Sequence, residues 1–524
     1  MGESAPVRPE RALIAAYDPS LFLPLARTLT KHSVELWATS GTARRLSSEG
    51  LPARSTEELT GIGAWFGGRV KTLHPAIFGG ILASREGEGA RELKERGIAP
   101  FDLVAVHLYP FEAARTATPP KGVEELTELI DIGGVSLLRA AAKNHRWVVS
   151  ISSPEDAEKV AREMDAHEGR LSFETRRELA QRTFLHTATY DAQVSSWLAG
   201  NGGTDGPDAL IVASRVDGEK MRYGENQHQK AWTYSLAHQA HPMQPWPLSV
   251  VKGEALSYNN FLDVDNSVAI VNCFSDPAAA VVKHGTPCGV ATGKSLVEAL
   301  NAALETDAVA RYGCVIALNR VVDDALVQAL TGTFVDLLAA PGFTPSALER
   351  LTKRAKLKAV RFGEGLEGLL RSKRYEARSA AGRLLIQESD QKALEPSALR
   401  QVTRRAATPE EIQSLKFAWS VVRHVRSNAI VLARGSRTVG IGGGQTSRVG
   451  AVREAVEVAE ARSKGAVMSS DAYFPFADGL ETAAKAGVTA VIQPGGSIRD
   501  DEVIAAADRA GMAMYFTGWR IFRH

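Results

Sequence analysis

Cysteine is scarce, with only Cys273, Cys288 and Cys314 in 524 residues. An odd number of widely spaced thiols argues against a disulfide framework and fits a reducing compartment. Neither C-x-x-C nor H-E-x-x-H occurs anywhere, so two common zinc frameworks are missing. No uninterrupted apolar run approaches the ~20 residues of a membrane span. Charge of one sign is also lacking, because 62 Lys+Arg against 60 Asp+Glu leaves a formal +2. That balance gives no reason to expect a nucleic-acid or membrane surface. The opening "MGESAPVRPER" has no apolar signal core, and Pro6 stands where a myristoylation pattern needs Ser or Thr. A cytoplasmic protein with small-molecule partners is expected.

What is present is ordinary globular composition, 44% hydrophobic and 23% charged. At ~150 residues per domain, the length points to about three domains. Short apolar runs alternate with amphipathic stretches. "RALIAAYD" and "VELWAT" read as buried strands, "SLFLPLARTLTKH" and "GTARRLSSEG" as the helices after them, and "FDLVAVHLYPF" as a strand running into a turn. This alternation indicates an α/β domain with a mainly parallel sheet, whose ligands sit at the carboxyl ends of strands. A long helix through "ETRRELAQRTFLHTATYDAQVSSWLAG" ends at "NGGTDGPDA", residues 201–209, where a domain boundary is expected. Beyond it "AAAVVKHGTPCGVA", "GCVIALN", "TVGIGGG", "GVTAVIQPGG" and "GMAMYFTG" read as strands of a second, larger α/β region. A basic, helix-prone stretch around 345–405 divides that region in two. No short repeat stands out.

The stretch "VVKHGTPCGVATG", 281–293, sets His284 beside Lys283, with Cys288 four positions on. Zinc deaminases use H-x-E with a later P-C-x-x-C; here position 286 is Thr and position 291 is Ala, so zinc is disfavoured. A Cys–His nucleophile pair is conceivable, although a free cysteine usually serves as a small packing residue. A lone histidine here reads as a satisfied, partly buried side chain. Lys283 changes that reading, because burying a lysine on an apolar strand is costly without a use. A neutral histidine takes a proton from an amine nucleophile, and an adjacent ammonium stabilises an oxyanion. The pair suits acyl or formyl transfer to a weak amine.

"VKHGTPCGVA" closely resembles a segment of the bifunctional purine biosynthesis enzymes that combine phosphoribosylaminoimidazolecarboxamide (AICAR) formyltransferase with inosine monophosphate (IMP) cyclohydrolase. The resemblance continues through "MRYGENQHQKA", "SYNNFLDVD", "RSNAIV", "GIGGGQTSRV", "SSDAYFPFADG", "VIQPGGSIRDDEVIAAADRAG" and "FRH". It includes "GGRVKTLHPAIFGGIL", "LYPF" and "DIGGVSLLRAAAKNH" in the first region. It implies an N-terminal methylglyoxal-synthase-like parallel-sheet domain over 1–200, the cyclohydrolase. A formyltransferase region over 201–524 then follows, built of two cytidine-deaminase-like α/β units and split near 345–405. It also implies 10-formyltetrahydrofolate as co-substrate, no catalytic metal, and a homodimer.

For the larger region the resemblance implies that His284 accepts the proton of the AICAR amine and Lys283 stabilises the transition state, with Asn428 beside them. Nucleotide contacts would come from Arg222, Tyr223, Gly313, Asp336, Arg448 and Arg520. Arginine suits phosphate through bidentate donors, and asparagine orients an amide. Folate contacts would come from Val449, Tyr473, Asp478, Ser497 and Ile498. "GIGGGQTSR" does not complete G-x-G-x-x-G, because its sixth position is Gln445; its glycines read as allowing close backbone approach. "ARYGCV" and Gln227 depart from the family pattern.

For the first region, ring closure needs positive charge near a forming alkoxide and a proton donor for the departing oxygen. By resemblance Lys143 would be the principal acid/base, assisted by Lys71, Tyr109 and Asp131, with Arg69, Thr72, Gly41 and Thr42 on the substrate. One stretch departs. Where the family carries Ser-Val-Ser-Asp-Lys-Thr-Gly, a phosphate loop, this chain has "AAYDPSL". Tyr17 replaces a serine, Pro19 the lysine and Leu21 the glycine, and proline also removes a backbone donor. His107 stands where the family has Asn. Three readings follow: a two-activity enzyme, an active formyltransferase with an impaired cyclohydrolase domain, or a nucleotide- or folate-sensing protein without catalysis.

Overall fold

The structure is a computed structural model that describes residues 5–63, 65–115, 117, 119, 121–199, 219–221, 223–233, 248–363 and 375–524. They fall into two compact units. One holds everything described up to residue 199, and the other holds Glu219–Thr233 and the described residues from Leu248 onward. The boundary expected at 201–209 lies outside the described residues.

The first unit is built on strands β1 (Arg11–Ala16), β2 (Glu35–Ala38), β3 (Ala53–Ser55), β4 (Leu103–His107) and β5 (Val149–Ile151). They form a five-stranded sheet in the order β3-β2-β1-β4-β5. Every pairing is parallel. Side chains alternate across the sheet. Ala12, Ile14, Leu103 and Ala105 therefore pack on one face with helices α1 (Leu23–Lys31) and α2 (Ser40–Ser48). Leu13, Val104 and Val106 pack on the other with α3 (Gly133–Lys143) and α4 (Phe173–Ala199). A parallel sheet covered on both faces explains why its strands read as continuous apolar runs. β1 lies between β2 and β4, so the chain leaves it on one side and returns on the other. A crevice opens at such a point, beyond the carboxyl ends of the strands.

The second unit is one twelve-stranded mixed sheet made of two halves of identical topology. The first half runs β6 (Ser249–Lys252), α5 (Tyr258–Val271), β7 (Ala278–Lys283), β8 (Thr286–Thr292), α6 (Leu296–Leu304), β9 (Cys314–Leu318), α7 (Asp324–Ala329), β10 (Val335–Ala340), α8 (Pro345–Thr352) and β11 (Lys358–Arg361). The second runs β12 (Arg400–Gln401), α9 (Pro409–Val422), β13 (Ile430–Arg434), β14 (Arg437–Gly442), α10 (Arg448–Ala459), β15 (Val467–Ser470), α11 (Asp478–Lys485), β16 (Ala490–Gln493), α12 (Asp500–Arg509) and β17 (Ala513–Phe516). The order is β12-β17-β16-β15-β13-β14-β8-β7-β9-β10-β11-β6, so the halves join at β8 and β14. One core, with α5 and α9, runs under both halves. The opposite face carries a separate core for each half.

Two readings of the sequence are corrected. "AAAVVKHGTPCGVA" is not one strand but the β7–β8 hairpin, turning at His284–Gly285. The stretch around 345–405 is helical over Pro345–Thr352, followed by β11 and an exposed hairpin, Tyr375–Ala380 with Arg383–Glu388. Its basic residues favour helix by propensity, yet sheet pairing outweighs propensity over so short a run. The two-unit build implied by the family resemblance left no visible sequence repeat, because the duplication survives in topology and core positions, not in residue identity.

Candidate active sites

In the first unit a cavity of about 450 Å³ opens at the carboxyl ends of β1, β2 and β4, lined among others by Tyr17, Thr39, Lys71, Thr72, His107, Tyr109 and Asp131. Lys71 Nζ donates to Tyr109 Oη at 3.3 Å. Asp131 accepts the Gly134 amide at 2.6 Å at the start of α3. A Cβ on Gly134 would sit 2.5 Å from Asp131 Oδ2, and one on Gly133 2.8 Å from Thr72 Oγ1, which accounts for the glycine pair of "DIGG". Burial raises the Asp131 carboxyl, opposed by the Gly134 and Tyr109 amides and by Lys71. Arg69, on the exposed rim, pairs with Glu128. Gly41 and Thr42 lie in the first turn of α2. The Thr42 hydroxyl is already engaged with the backbone of Ala16.

Lys143 is not brought to this group. It is the exposed last residue of α3, about 15 Å of helix rise from the end where Asp131 stands. The principal acid/base role expected for it has no geometric support within this chain.

The altered loop has its own local logic. Asp18 caps a short 3-10 turn, Pro19–Phe22, accepting the Ser20 amide at 3.0 Å. Pro19 fits there because a first-turn position needs no amide donor. His107 Nδ1 accepts the Asp18 amide at 3.3 Å. Tyr17 packs edge-on to Tyr109 with ring centroids 5.7 Å apart. Burial lowers the His107 pKa, opposed by Asp18. An aromatic wall thus stands where a hydroxyl-rich loop was expected.

In the second unit, strand directions alone assemble the other site. β7, β14, β15, β16 and β17 point one way, and β9 and β10 the other. The residues after the first group and those at the start of the second therefore share one edge of the sheet. Lys283 (the last residue of β7) and His284, Arg448–Val449 (after β14), Tyr473 and Asp478 (after β15), Ser497–Ile498 (after β16) and Arg520 (after β17) all lie there. Gly313 (before β9) and Asp336 (at the start of β10) lie there too.

Lys283 is half-buried, not sequestered as its apolar strand implied, and Nζ donates to the Tyr312 carbonyl at 2.9 Å. His284 is exposed and holds φ +54°, a left-handed conformation. That costs a non-glycine residue roughly 1–2 kcal/mol. Asp336 is gripped by Lys358 at 2.9 Å and Asn260 at 2.8 Å. Arg448, 6% exposed, reaches Asp471 and the Ala429 carbonyl and donates to Asn428 Oδ1 at 2.8 Å. Asn428 Nδ2 donates to the Gln445 carbonyl at 2.9 Å. Asn266 Nδ2 bridges the Gly285 and His424 carbonyls and so ties the His284 turn to the second half. Tyr223 is half-buried in a segment held to α5 by Asn259; Arg222 lies outside the described residues.

Cys288 packs against the apolar core, and burial pushes its thiol up to about 12. Among the described residues, no group of three or more His, Cys, Asp or Glu could hold a metal ion. No helix among them is long and apolar enough to cross a membrane.

Sequence reasoning missed Asp471, Asp263, Asn260 and Asn266. The last three were findable, because "NNFLDVDN" sets polar residues at three-residue spacing on an otherwise mainly apolar helix. Asp471 was not, since one acidic residue after a strand is common. At the equivalent place in the first half, Asn319 accepts the Ala278 amide as Asp471 accepts that of Ala429. Its amide is spent on nearby carbonyls.

The profile of the AICARFT/IMPCHase bienzyme family matches residues 141–458, and that of the MGS-like domain matches residues 21–136. Curated relatives described as bifunctional purine biosynthesis protein PurH align along nearly the whole chain. That of Halalkalibacterium halodurans is 44% identical over 98% of this chain and 99% of its own. That of Myxococcus xanthus is 43% identical over 98% and 100%, and that of Sorangium cellulosum 45% over 98% and 99%. A solved structure described as that of ForH aligns at 34% identity with a TM-score of 0.31, covering 35% of this chain and 96% of the other.

Proposed function

Because this chain belongs to the AICARFT/IMPCHase bienzyme family, it is a bifunctional enzyme of purine biosynthesis, and we propose that its two units divide the work. Residues 201–524 transfer the formyl group of 10-formyltetrahydrofolate to AICAR, and residues 1–200 close formyl-AICAR to IMP.

The observation that carries the first assignment is the shared sheet edge bearing Lys283, His284, Asn428 and Arg448. The AICAR amine attacks the formyl carbon while His284 accepts its proton, and the Lys283 ammonium stabilises the oxyanion. Collapse of that adduct expels the folate nitrogen, which is protonated on leaving. General-base help of this kind contributes typically 10²–10⁴-fold. Arg448, Arg520, Tyr223, Asp336 and Gly313 hold the nucleotide; Val449, Tyr473, Asp478, Ser497 and Ile498 form the folate side.

In ring closure, the carboxamide nitrogen of formyl-AICAR attacks the formyl carbon, and water leaves. Lys71 and Tyr109, hydrogen-bonded to each other beside Asp131, are the proton-moving pair, with Arg69, Thr72, Gly41 and Thr42 toward the substrate. Support for ring closure in this unit comes from the cavity that Lys71, Tyr109 and Asp131 line together. A homodimer is proposed on the family resemblance. A cytoplasmic location is proposed on the scarcity and wide spacing of the three cysteines.

The test supplies each half-reaction separately. AICAR with 10-formyltetrahydrofolate should release tetrahydrofolate, and formyl-AICAR alone should yield IMP. Absence of either product overturns the corresponding assignment.

A further inference from the structure

Helix α5 turns a row of buried polar side chains toward the formyltransferase edge. Asn260 is 6% exposed, Asp263 9% and Asn266 1%. Residues three apart share a helix face, and buried polar groups are costly unless partnered. Asn260 holds Asp336. The other two close on a single residue, Gly285. Asp263 Oδ1 accepts the Gly285 amide at 2.6 Å. Asn266 donates to the Gly285 carbonyl at 2.9 Å from the other side. His284 itself is exposed and left-handed, so no packing of its ring fixes where it points; the backbone does.

We propose that Asp263 is a positioning residue for formyl transfer: its carboxylate, with the Asn266 amide, clamps the His284–Gly285 turn and aims the His284 imidazole at the substrate amine. This rests on His284 being the proton acceptor. A hydrogen bond to an ionised carboxylate is roughly twice as strong as one between neutral groups, and a carboxylate presents no donor of its own. An asparagine in its place offers the Gly285 amide only a neutral acceptor, and so loosens the turn. Misplacing a catalytic group by about 1 Å costs on the order of 10²-fold in rate.

The experiment compares Asp263→Asn, Asn266→Ala and His284→Ala in both half-reactions, with crystal structures of the first two. Asp263→Asn should lower kcat for formyl transfer about 10- to 100-fold, leave the KM for AICAR within about twofold, and leave ring closure unchanged. Its structure should show His284 out of the left-handed conformation with the sheet unmoved. Wild-type formyl transfer in Asp263→Asn, while His284→Ala abolishes it, overturns this inference alone. Wild-type formyl transfer in His284→Ala overturns the base assignment beneath it. A fall in kcat with the turn unmoved also overturns the inference. Should Asp263→Asn lose ring closure as well, and so fail to fold, Asn266→Ala must show the same kcat-specific loss and turn movement; otherwise the clamp is wrong.

Discussion

The Arg448 guanidinium meets the Asp471 carboxylate where both side chains are buried, 5% and 0% exposed, and the same guanidinium reaches Asn428. Removing one partner of such a pair strands the other charge and costs about 3–5 kcal/mol. Asp471→Ala should therefore lower the thermal midpoint and raise the KM for AICAR by tenfold or more, since Arg448 is released from Asn428. Thermal denaturation beside steady-state kinetics checks both. A variant with an unchanged midpoint contradicts the pairing.

Lys71 and Tyr109 share a hydrogen bond in the cavity of the first unit. Tyr109→Phe removes it and should slow IMP formation from supplied formyl-AICAR by roughly 10- to 100-fold, leaving formyl transfer intact. Stopped assays of each half-reaction on one preparation decide this. A parallel loss of both would indicate misfolding instead.

Cys288 stands four residues from His284, yet its thiol is pushed up to about 12 by burial and is protonated at neutral pH. Cys288→Ala should keep formyl transfer within about twofold. Iodoacetamide at pH 8 should label exposed Cys273 well before Cys288, as peptide mass mapping would show. Rapid loss of activity with Cys288 labelling would restore the thiol-nucleophile reading.

His424 is buried between Cys273 and Arg523, and burial, reinforced by Arg523 and Arg423, holds its pKa well below the ordinary 6.5. Below pH 6.5 the unfolded chain binds a proton that the folded chain refuses, so stability falls as pH drops toward the folded value. The slope approaches about 1.4 kcal/mol per pH unit. Urea unfolding at pH 7 and 5.5 should show wild type losing more stability than His424→Gln. Equal losses contradict the assignment.

Much of this architecture was legible before any coordinates. Apolar runs located β1, β2, β4, β9, β14, β16 and β17, because buried strands leave a strong local signature. The hairpin at His284 was not legible, since "KHGTPC" lacks the two-residue turn dipeptides that announce one. The distance of Lys143 from Asp131 was not legible, because a motif records proximity in sequence and the length of α3 separates the two. Asp471 escaped because its role depends on a long-range partner, Arg448, 23 residues away.

The central claim is that His284 serves formyl transfer and nothing else. The direct measurement is His284→Ala in separated half-reactions on one folded preparation. The account predicts formyl transfer to AICAR reduced at least ~100-fold, with IMP formation from supplied formyl-AICAR at the wild-type rate. Formyl transfer at the wild-type rate in that variant would contradict it.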